Sequence, residues 1–77
     1  MKLIDAVLVR LKVVMAEKNA TLSSIHRNGG IAKSALSQLL SGKQQKVSLD
    51  LLYEILSTIE VPLKYFFDDP IFDEVTG

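Results

Sequence analysis

The sequence predicts a small all-α domain of five helices, and three observations support that fold class. The chain has 77 residues and no cysteine, so a single core of short helices has to stabilise it without disulfides. Apolar residues recur at the spacing of an amphipathic helix in residues 3–18 and again in 48–59. Between these segments, residues 21–42 (TLSSIHRNGGIAKSALSQLLSG) have the pattern of two short helices separated by a pair of glycines.

Local signals predict where each helix begins and ends. Thr21 and Ser48 are expected to be N-caps, and Gly42 is placed to stop the third helix. The pair Gly29-Gly30 allows a sharp turn, and Pro62 suits the first turn of a short last helix. The expected bounds are about 3–18, 22–28, 32–40, 49–59 and 63–67.

The two short helices and the turn of residues 21–42 have the pattern of a helix-turn-helix. Residues 1–67 are expected to form the helix-turn-helix domain that contains them, and residues 68–77 (DDPIFDEVTG) an acidic C-terminal tail. In the last helix of the domain, Leu63, Phe66 and Phe67 are expected to close the core. The tail is broken by proline, and two outcomes stay open for it. It is either partly disordered or docked on the domain through its apolar residues, which are Ile71, Phe72 and Val75.

Helix 1 is apolar on two sides. One side carries the expected core stripe of Leu3, Ile4, Val7, Leu8, Leu11, Val14 and Met15. At about 100° per residue, Ala6, Val9, Val13 and Ala16 fall together on the far side, with charged residues only at its flanks. We expect this second face to meet a partner subunit or the chain's own tail, although scattered exposed apolar residues are common on protein surfaces. The predicted dimer interface is Ala6, Val9, Val13, Ile71 and Phe72.

Charge is segregated along the chain, although the formal net charge is zero. From Lys18 to Leu49 there are five basic residues and no acidic one, whereas from Asp50 onward seven acidic residues stand against Lys64 alone. Zero net charge argues against a nucleic-acid partner, but a basic pole on the helix-turn-helix segment favours one. Chance clustering on a solvated surface is the alternative.

The run GIAKSALSQLLSGK resembles the lambda-repressor and Cro-like (xenobiotic-response-element) helix-turn-helix domains, and the resemblance covers about Leu8 to Phe67. It implies a five-helix lambda-repressor-like fold whose third helix enters the major groove of DNA. The implied base-reading residues are Ala32, Lys33, Ser34, Ser37 and Gln38. The implied phosphate contacts are Thr21, Ser23, Ser24, Arg27, Lys43, Gln44, Gln45 and Lys46.

Three departures from the family pattern stand out. His26 replaces a common alanine in helix 2, and Gly29 replaces an apolar residue, so we expect Gly29 to make room for a hydrogen-bonded His26. Met15 and Leu40 stand where many relatives have a buried arginine and glutamate. A buried ion pair can be exchanged for apolar residues when both partners change, so this double change is consistent with the fold.

The expected function is sequence-specific binding of double-stranded DNA by a cytoplasmic transcriptional regulator, a repressor that occupies a palindromic operator as a homodimer. The alternative is a protein-interaction module of the antitoxin or anti-repressor type, which would bind a toxin or another regulator through helix 1 and the tail. An enzyme is not expected, because the chain has one histidine, no cysteine and no phosphate-binding glycine loop. No cofactor, metal or membrane contact is expected either.

Overall fold

The computed structural model describes residues 1–76, and in that range the chain forms five α-helices, one 3-10 helix and no strand. This confirms the predicted all-α fold class with five α-helices. The α-helices are α1 (Leu3–Glu17), α2 (Leu22–Gly29), α3 (Lys33–Leu40), α4 (Leu49–Thr58) and α5 (Leu63–Phe67), and the 3-10 helix spans Pro70–Glu74. No helix within residues 1–76 has the length and apolar character needed to cross a bilayer.

The helix ends follow the predicted capping signals. Thr21 and Ser24 form a reciprocal capping box, in which the Ser24 N–H donates to Thr21 Oγ1 at 3.0 Å and the Thr21 N–H donates to Ser24 Oγ at 2.8 Å. Ser48 Oγ accepts from the Leu51 N–H at 3.0 Å and so begins α4. Gly30 and Gly42 have φ values of +68° and +80°, the left-handed conformation that a glycine adopts without strain at the end of a helix.

The core lies between α1, α2, α4 and α5, and α3 contributes one apolar edge to it. The largest fully buried side chains come from all five helices: Leu11, Val14, Ile25, Leu36, Leu39, Ile55, Leu56 and Phe66. Met15 is buried and Leu40 packs against the core at partial exposure, as expected for apolar replacements of an ion pair. By contrast, Leu3 is 56% exposed, Leu63 is 36% exposed and Phe67 is 40% exposed, so the prediction that these three belong to the core is wrong.

Gly29 serves a different contact from the one predicted. A Cβ placed at this position would overlap Thr58 Oγ1 and lie 3.1 Å from Thr58 Cγ2. The three atoms nearest to that Cβ all belong to Thr58 and none to His26, so the missing side chain lets α2 approach α4 closely. Residue volume alone could not distinguish these neighbours, because Thr58 is distant from Gly29 along the chain.

The tail packs on α1 as a 3-10 helix. Asp69 Oδ1 caps this helix by accepting from the Ile71 N–H at 2.9 Å, and Phe72 packs against the core and lies near the Phe66 and Phe67 rings. On the second apolar face of α1, one predicted residue is therefore buried within the chain and two remain exposed. Ala6 has no exposed surface, so its predicted place in a dimer interface is wrong, whereas Val9 and Val13 are each 45% exposed.

Arg10 anchors α1 to α5 and to the tail, a role that the sequence did not indicate. Its side chain is buried, with Nε donating to the Phe66 carbonyl and Nη2 to the Tyr65 carbonyl, each at 2.9 Å. Nη1 lies 3.3 Å from Asp69 Oδ2, and the guanidinium carbon lies 5.0 Å from the centre of the Tyr65 ring. One guanidinium thus binds two carbonyl groups in the last turn of α5 and the carboxylate of Asp69 in the tail.

Candidate nucleic-acid interface

The outer face of α3 is polar and exposed. Leu36 and Leu39 are buried and Leu40 is half-buried, so the helix rests on the core along one narrow side. At 100° per residue the opposite side spans about 140° of the helix circumference. It carries the predicted base-reading residues Lys33, Ser34, Ser37 and Gln38, all of which are exposed.

Ala32 lies one residue outside the helix that was predicted to include it. It is exposed and occupies the N-cap position of α3 with φ −59° and ψ +134°, and it has no side chain that can cap the helix. The first N–H groups of α3 therefore have no side-chain cap. A hydrogen-bond acceptor on DNA could reach these groups, because a methyl group lets another surface approach closely.

Gln38 and Lys33 have side chains that are available to a ligand. Within residues 1–76, the amide of Gln38 has no hydrogen-bond partner and the ammonium of Lys33 lies in no ion pair. The Gln38 backbone carbonyl accepts from Ser41 Oγ at 2.7 Å, which fixes the last turn of α3 without engaging the amide. An unengaged amide can donate and accept at once, which is the pattern that adenine presents in the major groove.

The hydroxyl groups at the start of α2 differ in whether they are free to donate a hydrogen bond to a phosphate. Ser24 Oγ donates its proton to the Thr21 carbonyl at 2.9 Å, so the predicted phosphate contact of Ser24 would have to break a bond within the capping box. Thr21 Oγ1 only accepts in that box and keeps its own proton. Ser23 and Arg27 are both exposed. Thr21, Ser23 and Arg27 are therefore better placed than Ser24 to donate to an anion.

The loop between α3 and α4 carries the other predicted phosphate contacts. Its first turn is held by Ser41, whose Oγ accepts from the Lys43 N–H at 3.3 Å. Lys43, Gln45 and Lys46 are exposed, and Gln44 is half-buried. The two lysines have no ion-pair partner within residues 1–76. The loop thus offers two cations and one amide to an anionic surface.

His26 fixes the turn of the helix-turn-helix. Its Nδ1 lies 2.7 Å from the carbonyl oxygen of Ile31, and since a carbonyl only accepts, Nδ1 carries the proton. The bond spans the two glycines and ties α2 to Ile31, two residues before α3 begins. The prediction of a hydrogen-bonded His26 is confirmed, although the ring itself is exposed and is not packed in the core.

The acidic residues of the chain are engaged or lie outside these segments. The one ion pair within residues 1–76 joins Arg10 to Asp69, and Glu17 accepts from Tyr65 Oη at 3.1 Å. Between Lys18 and Leu49 there is no carboxylate that could neutralise the basic residues. Asp50, in the first turn of α4, is the nearest acidic residue in sequence to the α3–α4 loop.

A surface groove next to this loop escaped the sequence analysis. Its volume is about 280 Å³, and Leu3, Leu49 and Phe67 line it together with Gln45 and Lys46. Leu49 is 65% exposed. The sequence did contain one signal for this groove. Leu49 is an apolar residue directly after the N-cap Ser48, at a position outside the buried stripe of α4.

The comparisons with known proteins agree with this geometry. Residues 10–66, about three quarters of the chain, match the model of the Cro/C1-type HTH DNA-binding domain. No curated protein and no solved structure matches the chain. The matched range runs from Arg10 to Phe66 and contains α2, α3 and the basic loop. The chain therefore belongs to the Cro/C1-type helix-turn-helix DNA-binding family.

Proposed function

We propose that this protein regulates transcription as a sequence-specific repressor that binds a palindromic operator as a homodimer. The observation that supports the proposal best is the outer face of α3, where Lys33, Ser34 and Gln38 are exposed and their side chains have no partner among residues 1–76. Basic residues lie on both sides of this face in the chain, at Arg27 and in the α3–α4 loop, and none of them has an ion-pair partner in the described part of the chain, residues 1–76. Such an arrangement can read base edges and bind phosphates at the same time.

In the proposed complex α3 lies in the major groove with its first residues against the bases. Gln38 would pair with adenine N6 and N7, and Lys33 would contact guanine or a phosphate. Ala32 would allow close approach or meet a thymine methyl group. Thr21, Ser23, Arg27 and the basic loop would bind the sugar-phosphate backbone on either side, which sets affinity and register and not sequence preference.

A homodimer is proposed because α3 is only eight residues long and one copy can reach few base pairs. Twofold symmetry doubles the number of bases read and requires half-sites about 34 Å apart or a multiple of that distance. Binding across a promoter would then exclude the polymerase. The proposed role needs no catalytic group, and its proposed location is the cytoplasm, because the protein has to share a compartment with its DNA.

Selection of bound sites from random duplexes tests the proposal directly. The expected result is an enriched sequence with two inverted half-sites at a fixed spacing. The selection should be run at low and at physiological salt, because phosphate contacts weaken steeply as salt rises. Recovery of no duplex even at low salt would contradict DNA binding, and recovery of an unsymmetrical site would contradict the homodimer.

Replacing Lys46 with alanine is expected to weaken binding to all duplexes by a similar factor. The exposed ammonium would contact a phosphate, so its loss should reduce the slope of log affinity against log salt by about 1 per copy. Electrophoretic mobility shift over a salt series measures both quantities. Lys64→Ala is the matched control, since Lys64 is exposed on α5, outside the proposed interface. A loss confined to one sequence would contradict the phosphate assignment of Lys46.

A protein-interaction role is the second candidate, and the groove lined by Leu3, Leu49 and Phe67 is the observation that favours it. These side chains are 56%, 65% and 40% exposed, which is unusual for three neighbouring apolar residues of a small domain. A toxin or another regulator could bind there while α3 binds DNA. A pure interaction module has no affinity for duplexes, so the selection experiment separates the two functions.

A further inference from the structure

The exposed face of α1 carries a charge pattern that the DNA interface does not use. Val9 and Val13 are each 45% exposed at its centre, and Asp5 and Lys12 are exposed at one flank. Neither Asp5 nor Lys12 has an ion-pair partner within residues 1–76. Because the two are seven residues apart, they differ by only about 20° around the helix and lie on the same side of Val9.

We propose that this face binds a second copy of the chain, with the two α1 helices antiparallel and Asp5 of each copy paired with Lys12 of the other. The inference rests on the proposed homodimer and specifies its geometry. In an isologous pair each contact occurs twice, so one Asp5–Lys12 contact between copies creates a second. The four charges would then form two ion pairs around a centre of valines.

Symmetry favours the antiparallel arrangement over the parallel one. The twofold axis of an antiparallel pair passes between the two helices and is perpendicular to both, so one flank meets the same flank of the other copy. Asp5 and Lys12 share a flank and are therefore brought together with opposite sign. In a parallel pair the twofold axis runs along the helices, so this flank meets the opposite flank of the other copy. Asp5 and Lys12 then stay about 10 Å apart along the axis, and no Asp5–Lys12 contact forms between copies.

The Asp5–Lys12 pairing also fixes how the two α1 helices are aligned, and this alignment places Val9 at the centre of the interface. The midpoint between Asp5 and Lys12 lies half a residue from Val9, which is about 0.75 Å along the helix axis. The two Val9 side chains would therefore meet near the twofold axis. Val13 lies further along, so its two copies would be separated by about 13 Å along the axis. The distances between the two copies of Val9 and of Val13 therefore distinguish an antiparallel from a parallel pair without reference to charge.

Charge reversal tests the pairing. Asp5→Lys alone and Lys12→Asp alone each place like charges together twice, and self-association is expected to weaken about tenfold or more. An equimolar mixture of these two variants restores both opposite-charge pairs, so a heterodimer of about twice 8.5 kDa is expected. Sedimentation equilibrium without DNA measures the mass. Glu54→Lys and Lys64→Asp are matched controls on exposed positions of α4 and α5, and their masses should equal that of the wild type.

Cysteine cross-linking provides the second readout, and the absence of native cysteines makes it specific. Val9→Cys should form a disulfide-linked dimer under mild oxidation, and Val13→Cys should not, because a disulfide requires Cα atoms within about 7 Å. Cross-linking of both variants would overturn the antiparallel geometry in favour of a parallel pair.

The proposal would be overturned if the wild type were a monomer. It would also be overturned if the single charge-reversal variants stayed dimeric, or if the mixture of the two folded variants stayed monomeric. Since these masses are measured without DNA, failure here leaves the duplex selection to decide the proposed DNA binding separately.

Discussion

Replacing Arg10 with alanine is expected to lower the free energy of unfolding by about 3 kcal/mol, because a buried charged group that makes two hydrogen bonds and an ion pair is lost. The Nε and Nη2 bonds to the Phe66 and Tyr65 carbonyls are each 2.9 Å long, and the Asp69 carboxylate is 3.3 Å from Nη1. For a domain of this size the loss is a large share of a total stability of roughly 4–12 kcal/mol. Urea denaturation followed by circular dichroism measures it.

Three further variants separate the contributions of Arg10. Arg27→Ala removes an exposed arginine and should change stability by less than about 0.5 kcal/mol. Arg10→Lys keeps the charge but lacks the planar fork of donors that reaches both carbonyls and Asp69 at once, so an intermediate loss is expected. Asp69→Asn should cost less than about 1 kcal/mol, because Asp69 is 32% exposed. If Arg10→Ala were as stable as Arg27→Ala, the anchor described here would be wrong.

Helix positions could be predicted from the sequence because their signals are local. Thr21 and Ser48 cap helices whose first residues follow directly, and Gly30 and Gly42 end helices by adopting left-handed conformations. The outer face of α3 was predictable for the same reason, since helical periodicity alone separates Gln38 from the buried Leu39. These conclusions need no knowledge of the rest of the chain.

The errors share a different cause, which is contact between residues that are far apart in sequence. Ala6 was expected in a dimer interface, on a face that would meet a partner subunit or the tail. It is fully buried within the chain, and the 3-10 helix of the tail packs on α1. Arg10 binds carbonyl groups more than 50 residues later, and Gly29 lies against Thr58. Periodicity shows which face of a helix is apolar, but it does not identify the segment that covers that face.

Sequence preference should depend on Gln38 more than on any other side chain of the proposed interface. Gln38→Ala is expected to reduce affinity for the selected operator by about 1–3 kcal/mol per half-site, which is roughly fivefold to 150-fold. The reason is loss of an amide that is exposed and has no partner within residues 1–76. The effect should vanish on a duplex in which the contacted base pair is changed, because there the amide has no matching edge.

Gln45→Ala is the matched control for this prediction, since it removes an exposed glutamine from the α3–α4 loop instead of from α3. It should weaken binding to all duplexes equally and leave the selected sequence unchanged. Gln38→Glu gives the complementary test, because a carboxylate accepts from cytosine N4 and cannot donate to adenine N7. Repeating the site selection with each variant should therefore show a relaxed position for Gln38→Ala, a shift toward cytosine for Gln38→Glu and no change for Gln45→Ala. An unchanged preference in both Gln38 variants would mean that α3 meets DNA through another face, or does not enter the groove.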